Sequence, residues 1–307
     1  MNAKKIFSHP LFSTLLALLV CALWGSLFPC IKLGYTAAEV NSGHIPSVML
    51  FAGTRFAVSG IIMILLFSLT EKKPLLPQKK DLPPILGVML AGIVLHYSFT
   101  YIALSIGEGS KSAIIKQVGF LFLSCLSFLV VKEERFSVRK ILCGILGFAG
   151  IVITNLDGNG FHFALGDVLL IAASFCSVTS TVITKKGVKK TSPLILVAYS
   201  QLFGGILLTI GGVALGGKFM KLDLDAFLVF SYICLASITA YALWNVLIKY
   251  NSIAKLSIIK FTEPLFAVIL SGILLRENIW RINYLLALIV IAAAILIVNV
   301  KTKGEKA

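Results

Sequence analysis

The stretch "IIKFTEPLF" at 258–266 places Lys260, Glu263 and Pro264 in a run that is otherwise apolar. On a helix Lys260 and Glu263 lie one turn apart and share a face. An ammonium and a carboxylate so placed can neutralise each other beside a packing kink. They can equally hold a charged solute, with Glu263 taking and releasing a proton. Pro264 has no N–H, which frees a carbonyl one turn back, and its ring breaks the line of the helix. A second stretch, "IIKQVGFLF" at 114–122, carries Lys116 in the same apolar setting. An ionisable group inside a membrane span costs roughly 2.5–3.5 kcal/mol on insertion scales, so such groups face a cavity or a partner.

Other side chains join these as candidates. Arg55 cannot shed its proton, so it needs either a structural partner (carbonyls or a carboxylate) or a substrate. His96, Tyr97, Thr100 and Tyr101 recur at helical spacing, as do Tyr241, Trp244 and Asn245; Trp24 precedes Phe28 and Lys32 by one and two turns. Such stripes form either substrate walls or helix contacts. The substrate-contact set is therefore Lys116, Lys260, Arg55, Trp24, Tyr97, Tyr101, Trp244 and Asn245. Glu263 and His96 are the coupling candidates, with a hydrogen-bonded structural role as the competing reading of His96. Lys32 and Lys185 sit near span ends, where a lysine stem reaches the interface.

The elements that carry these groups follow from composition. Of 307 residues 58% are hydrophobic and 13% charged, with a mean hydropathy of +0.97. A soluble domain of this size needs more charge to cover its surface. About 20 apolar residues cross a bilayer core as a helix, and the chain offers such runs near 11–33, 46–69, 83–104, 111–131, 139–155, 165–184, 192–215, 226–248, 255–275 and 282–300. The expectation is an all-α membrane protein of ten transmembrane helices. With both termini cytoplasmic, nineteen of the 28 Lys and Arg residues fall in inner links, five in outer links and four inside spans. Positive charge gathers on the cytoplasmic side, so this orientation is expected. The net charge of +15 is thus a topology signal, and nucleic acid is not an expected partner.

Sliding the chain by 144 residues aligns 111–155 with 255–299, and about a third of these 45 positions are identical. The matches include Lys111 with Lys255, Lys116 with Lys260, Glu133 with Glu277 and Asn155 with Asn299, which apolar composition alone does not produce. Two halves, 1–156 and 157–307, would each hold five spans. An odd number inverts the second half, the architecture of many secondary carriers, with the site near the midplane between the halves. Phe120 stands in the first half where the second has Pro264. Gly144, Gly147 and Gly150 at i, i+3 and i+6 suit close helix contact.

"ALWGSLFPCIK" at 22–32, "RF" at 55–56 and "TEPLFAVILSGILLRENI" at 262–279 resemble the motifs of EamA-like drug/metabolite transporters. The resemblance runs over both halves. It implies two inverted five-helix repeats around a central cavity and alternating access, without naming a substrate. The expected function is secondary active transport of a small polar metabolite, an amino acid or organic anion, with export favoured and energy from protons or exchange. The alternative is a drug or cation efflux carrier.

A membrane-embedded enzyme fits less well, because "KEER" at 132–135 and "DLD" at 223–225 sit in short links without a histidine. The six cysteines lie in apolar runs without metal spacing, so neither a metal nor a cofactor is expected. The expected setting is a bacterial inner membrane, with a small-molecule substrate and the lipid bilayer as partners and a homodimer allowed.

Overall fold

A computed structural model describes residues 7–116, 145–146, 149–150, 152–154, 156–157, 160–251, 256, 259–260 and 262–299. The chain is an all-α membrane protein. Helix α1 spans Pro10–Ala37 and α2 Ile45–Thr70; α3 is a continuous helical stretch over Lys79–Ile106; α4 spans Gly109–Lys116. After them come α5 (Leu165–Gly187), α6 (Pro193–Ala214), α7 (Leu224–Tyr250), α8 (Thr262–Leu275) and α9 (Ile282–Asn299). Leu156–Asp157 and Gly160–Phe161 pair as a two-residue antiparallel ladder before α5. Among the described residues six helices, α1, α2, α3, α5, α6 and α7, are long and apolar enough to cross a membrane. Most of the spans expected at 111–131 and 139–155 lies outside the described residues, as do Phe120, Glu133, Gly144, Gly147 and "KEER".

Starts and stops follow local chemistry. Proline stands in the first turn of α2 and α6, where its missing N–H costs nothing. Asp223 caps α7 by accepting from the Ala226 N–H at 2.9 Å. Asp167 folds back on the start of α5, accepting from Ala164 N at 2.9 Å.

Two close approaches set the packing. A Cβ on Gly60 would stand 2.5 Å from the Leu202 nitrogen, so α2 and α6 meet backbone to backbone. A Cβ on Gly25 would stand 2.7 Å from both the Glu263 carbonyl oxygen and Phe266 Cβ, which seats α1 directly on α8. Helices in lipid gain little from apolar burial alone, so such small-residue contacts supply much of the cohesion. Helix α1 also packs on α7, and α5 packs on α3. The core between them is aromatic: Trp24, Tyr35, Phe51, Phe56, Tyr97, Tyr101 and Trp244 are all buried.

Helix α3 departs from regular pitch. Met89–Leu95 winds as π-helix between the α-helical turns Leu82–Val88 and His96–Ile106. Such wide turns rotate the residues that follow and often occur at functional sites. Here they precede His96 and Tyr97.

Candidate functional site

The close seat at Gly25 brings Trp24 against the turn that holds Lys260. Lys260 Nζ lies 4.3 Å from the Trp24 ring centroid and 5.2 Å from that of Trp244. The two indoles meet edge to face at 5.1 Å, and Tyr241 meets Trp24 edge-on at 5.5 Å. An aromatic corner of this kind holds a cation through its ring faces. Glu263 Oε2 stands 3.8 Å from Lys260 Nζ, and that oxygen is buried with no hydrogen-bond partner. Pro264 lies in the first described turn of α8.

Lys116, at the end of α4, reaches the same space from the other side. Its Nζ stands 5.2 Å from the Phe28 ring and 5.7 Å from the Tyr97 ring. Tyr97 and Tyr241, one repeat length of 144 residues apart, join hydroxyl to hydroxyl. His96 Nδ1 lies 2.7 Å from the Ala173 carbonyl oxygen. A carbonyl only accepts, so Nδ1 carries a proton in this bond.

These groups line one shared cavity. Trp24, His96, Tyr97, Lys116, Trp244, Asn245, Lys260 and Glu263 all face it. Arg55 and Tyr101 do not; they lie fully buried on the far side of its wall. Spacing along a helix gives a residue's face but not its depth behind a neighbour.

Two features of the cavity lie outside the sequence expectations. Ser177, Ser180, Thr181 and Thr184 of α5 line it at i, i+3, i+4 and i+7, a polar stripe whose period is readable in the sequence. Gln201 of α6 lines it too, with both amide atoms buried and unpartnered. A search for isolated amides within apolar runs would have found it.

At one end the cavity stops at Ile31 and Leu104, beneath a polar clasp. Glu277, in the link after α8, accepts from Gly109 N at 2.9 Å, Ser110 N at 3.0 Å and Ser110 Oγ at 2.6 Å. Lys32 Nζ donates to Glu277 Oε1 at 3.3 Å and to the Gly107 carbonyl at 2.9 Å. Lys32 thus reaches the end of its helix, as expected, but finishes on protein partners. Arg281 and Tyr284 hold Glu108 beside it, at 3.0 and 2.5 Å. Burial alone would raise the Glu277 carboxyl, yet the Ser110 hydroxyl, the two backbone N–H groups and Lys32 hold it below the usual carboxylate range. Toward the opposite end the cavity extends to Val88 of α3 and to Thr184 and Ile248 in the last turns of α5 and α7. There Lys185 Nζ donates to the carbonyls of Ile248 and Asn251 at 2.6 and 2.8 Å.

The EamA-like transporter family model matches this chain twice, over residues 11–156 and 164–299. The "uncharacterized transporter YvbV" of Bacillus subtilis is 30% identical, covering 95% of this chain and 93% of its own length. The "uncharacterized inner membrane transporter YedA" of Escherichia coli is 28% identical over 94% of this chain and 90% of its own. The "probable amino-acid metabolite efflux pump" of Salmonella typhimurium is 26% identical, with coverage of 90% and 91%. A crystal structure superposes with a TM-score of 0.65 at 16% identity, covering 93% of this chain and 95% of that one, which is a likeness of fold.

Proposed function

Because the chain belongs to the EamA-like transporter family and is a membrane transporter, we propose that it carries an amino acid or closely related metabolite by alternating access, with export as the favoured direction. The observation that carries this reading is the complementary charge in one cavity. Lys116 presents an ammonium whose neighbours are the faces of Phe28 and Tyr97. Glu263 presents a carboxylate oxygen without a hydrogen-bond partner. A zwitterion satisfies both, its carboxylate on Lys116 and its ammonium on Glu263. A plain anion would leave that Glu263 oxygen with only its ion pair to Lys260 at 3.8 Å and no hydrogen bond. A cationic drug would compete with Lys260 for the aromatic corner that this lysine already occupies. The name of the Salmonella relative agrees with an amino-acid cargo.

The scaffold in this reading is ten helices in two inverted repeats, 1–156 and 157–307. Support comes from the two successive family matches and from equivalent contacts at opposite ends. Lys32 bonds the carbonyl of Gly107 and Lys185 that of Asn251; these two carbonyls are separated by the same 144 residues as the bonded tyrosines. By the charge bias of the links, the Glu277 clasp would face outside and both termini the cytoplasm, so in this reading the described state is closed on the outside. Glu263, released from Lys260, is the group to take a proton in a coupled cycle.

A thermal-unfolding screen of the purified protein tests the substrate class. L-amino acids should raise the midpoint by mass action, whereas their decarboxylated amines and their amides should not. Equal stabilisation by amines would overturn the zwitterion reading.

A further inference from the structure

Behind the cavity wall lies a buried cationic cluster with no carboxylate partner among the described residues. Arg55 is fully buried, and none of its three nitrogens has a hydrogen-bond partner. Its guanidinium stands 4.1 Å from the Phe56 ring and 5.4 Å from the rings of Tyr97 and Tyr101. Ring faces answer the charge of a guanidinium but not the N–H groups at its edge. The Tyr101 hydroxyl beside it is likewise buried and unpartnered, as is the Ser59 hydroxyl one turn along α2. Arginine keeps its charge at any accessible pH. Among the described residues no carboxylate answers this guanidinium, so the cluster carries a buried positive charge to which an anion can bind.

Tyr97 separates this cluster from the cavity. Its ring faces both cations, Arg55 at 5.4 Å and Lys116 at 5.7 Å. Its hydroxyl is tied to Tyr241 of α7. Helices α3 and α7 belong to opposite halves, so the movement of one half against the other that the carrier reading calls for would strain this tie. We propose that Arg55, with the hydroxyls of Tyr101 and Ser59, is a second oxyanion site, which receives the carboxylate of the solute when Tyr97 parts from Tyr241. This rests on the carrier reading above for its cargo, though not for its anion chemistry. The solute's carboxylate then passes from Lys116 to Arg55, and the fork of the guanidinium can bind both its oxygens at once.

The experiment uses the full-length protein in lipid nanodiscs, with acetate and bromide as probes and the unfolding midpoint as readout. Tyr241→Phe removes one hydroxyl of the tie and should strengthen the response to both anions several-fold over wild type. Adding Arg55→Gln should abolish the gain. Should Arg55→Gln fail to fold, Arg55→Lys keeps the charge without the fork and should lose most of the gain. An unchanged anion response in Tyr241→Phe, or a gain that survives loss of Arg55, overturns the site. The probes require no amino acid. Failure of every amino acid alongside an intact, Arg55-dependent acetate response would therefore sink the carrier's assigned cargo and leave the anion site standing.

Discussion

Glu277→Gln is the perturbation that separates a gate from a simple structural contact. The carboxylate receives four donors: Gly109 N and Lys32 Nζ on one oxygen, Ser110 N and Ser110 Oγ on the other. Glutamine keeps one acceptor oxygen, so two bonds survive as neutral ones, while its NH2 group faces the other two donors. Bonds to a charged group contribute about 1.5–3 kcal/mol and neutral ones about 0.5–1.5 kcal/mol. Losing two and weakening two sums to roughly 6 kcal/mol before water returns to the opened site. The Lys32 side chain is 27% exposed and that of Glu277 10%, so water recovers part of this, leaving about 3 kcal/mol. If the clasp forms only in the outward-closed state, that amount moves the closed-to-open ratio by about two decades.

Leu104 reports the shift. It is 1% exposed, lines the cavity and sits just below the clasp. Leu104→Cys in right-side-out vesicles should react with a membrane-impermeant maleimide ten to a hundred times faster when Glu277→Gln is added. The parent without Leu104→Cys gives the background from the six native cysteines, of which Cys30 and Cys176 are half-buried. An unchanged outside rate, in a double variant whose unfolding midpoint has fallen, would refute the gate and leave Glu277 a structural cap.

Three further outcomes follow from the geometry. The Glu277 carboxyl lies below its ordinary value of 4.5, so its stabilisation is complete above that pH and disappears as pH falls through the depressed value. The unfolding midpoint should drop in that acid window for wild type and stay flatter for Glu277→Gln. Gly25→Ala should destabilise the protein by about 1–3 kcal/mol, because its methyl meets Glu263 O and Phe266 Cβ at 2.7 Å; a midpoint equal to wild type would mean that α1 and α8 can part freely. Lys116→Gln should weaken amino-acid binding about ten- to a hundredfold, the equivalent of one charge-assisted bond, with little change in the midpoint without ligand.

Much of the cavity lining is legible in the sequence because its signals are periodic. Apolar run length located the long helices to within a few residues of their ends. Repeat register singled out Lys116 and Lys260, and helical spacing put Trp244 and Asn245 on the face that meets the cavity. Other features leave weaker traces. A π-turn over Met89–Leu95 changes pitch without changing composition. Tyr101 lies one turn from the cavity residue Tyr97 on α3 yet behind it, and α2, which carries Arg55, gives the cavity no lining residue at all; depth is a tertiary property. Glu277 looks like an ordinary loop acid until the link at 107–110 is brought beside it. Only its register with Glu133 hinted at more.

The central claim is that the Lys116 ammonium and the Glu263 carboxylate bind a zwitterion and move it across the membrane. The most direct measurement is counterflow of radiolabelled L-amino acids in proteoliposomes, for wild type, Lys116→Gln and Glu263→Gln. The account predicts uptake by wild type of at least one amino acid, abolished in Lys116→Gln and strongly reduced in Glu263→Gln. Wild-type rates in both variants, with the amino acid still transported, would contradict it.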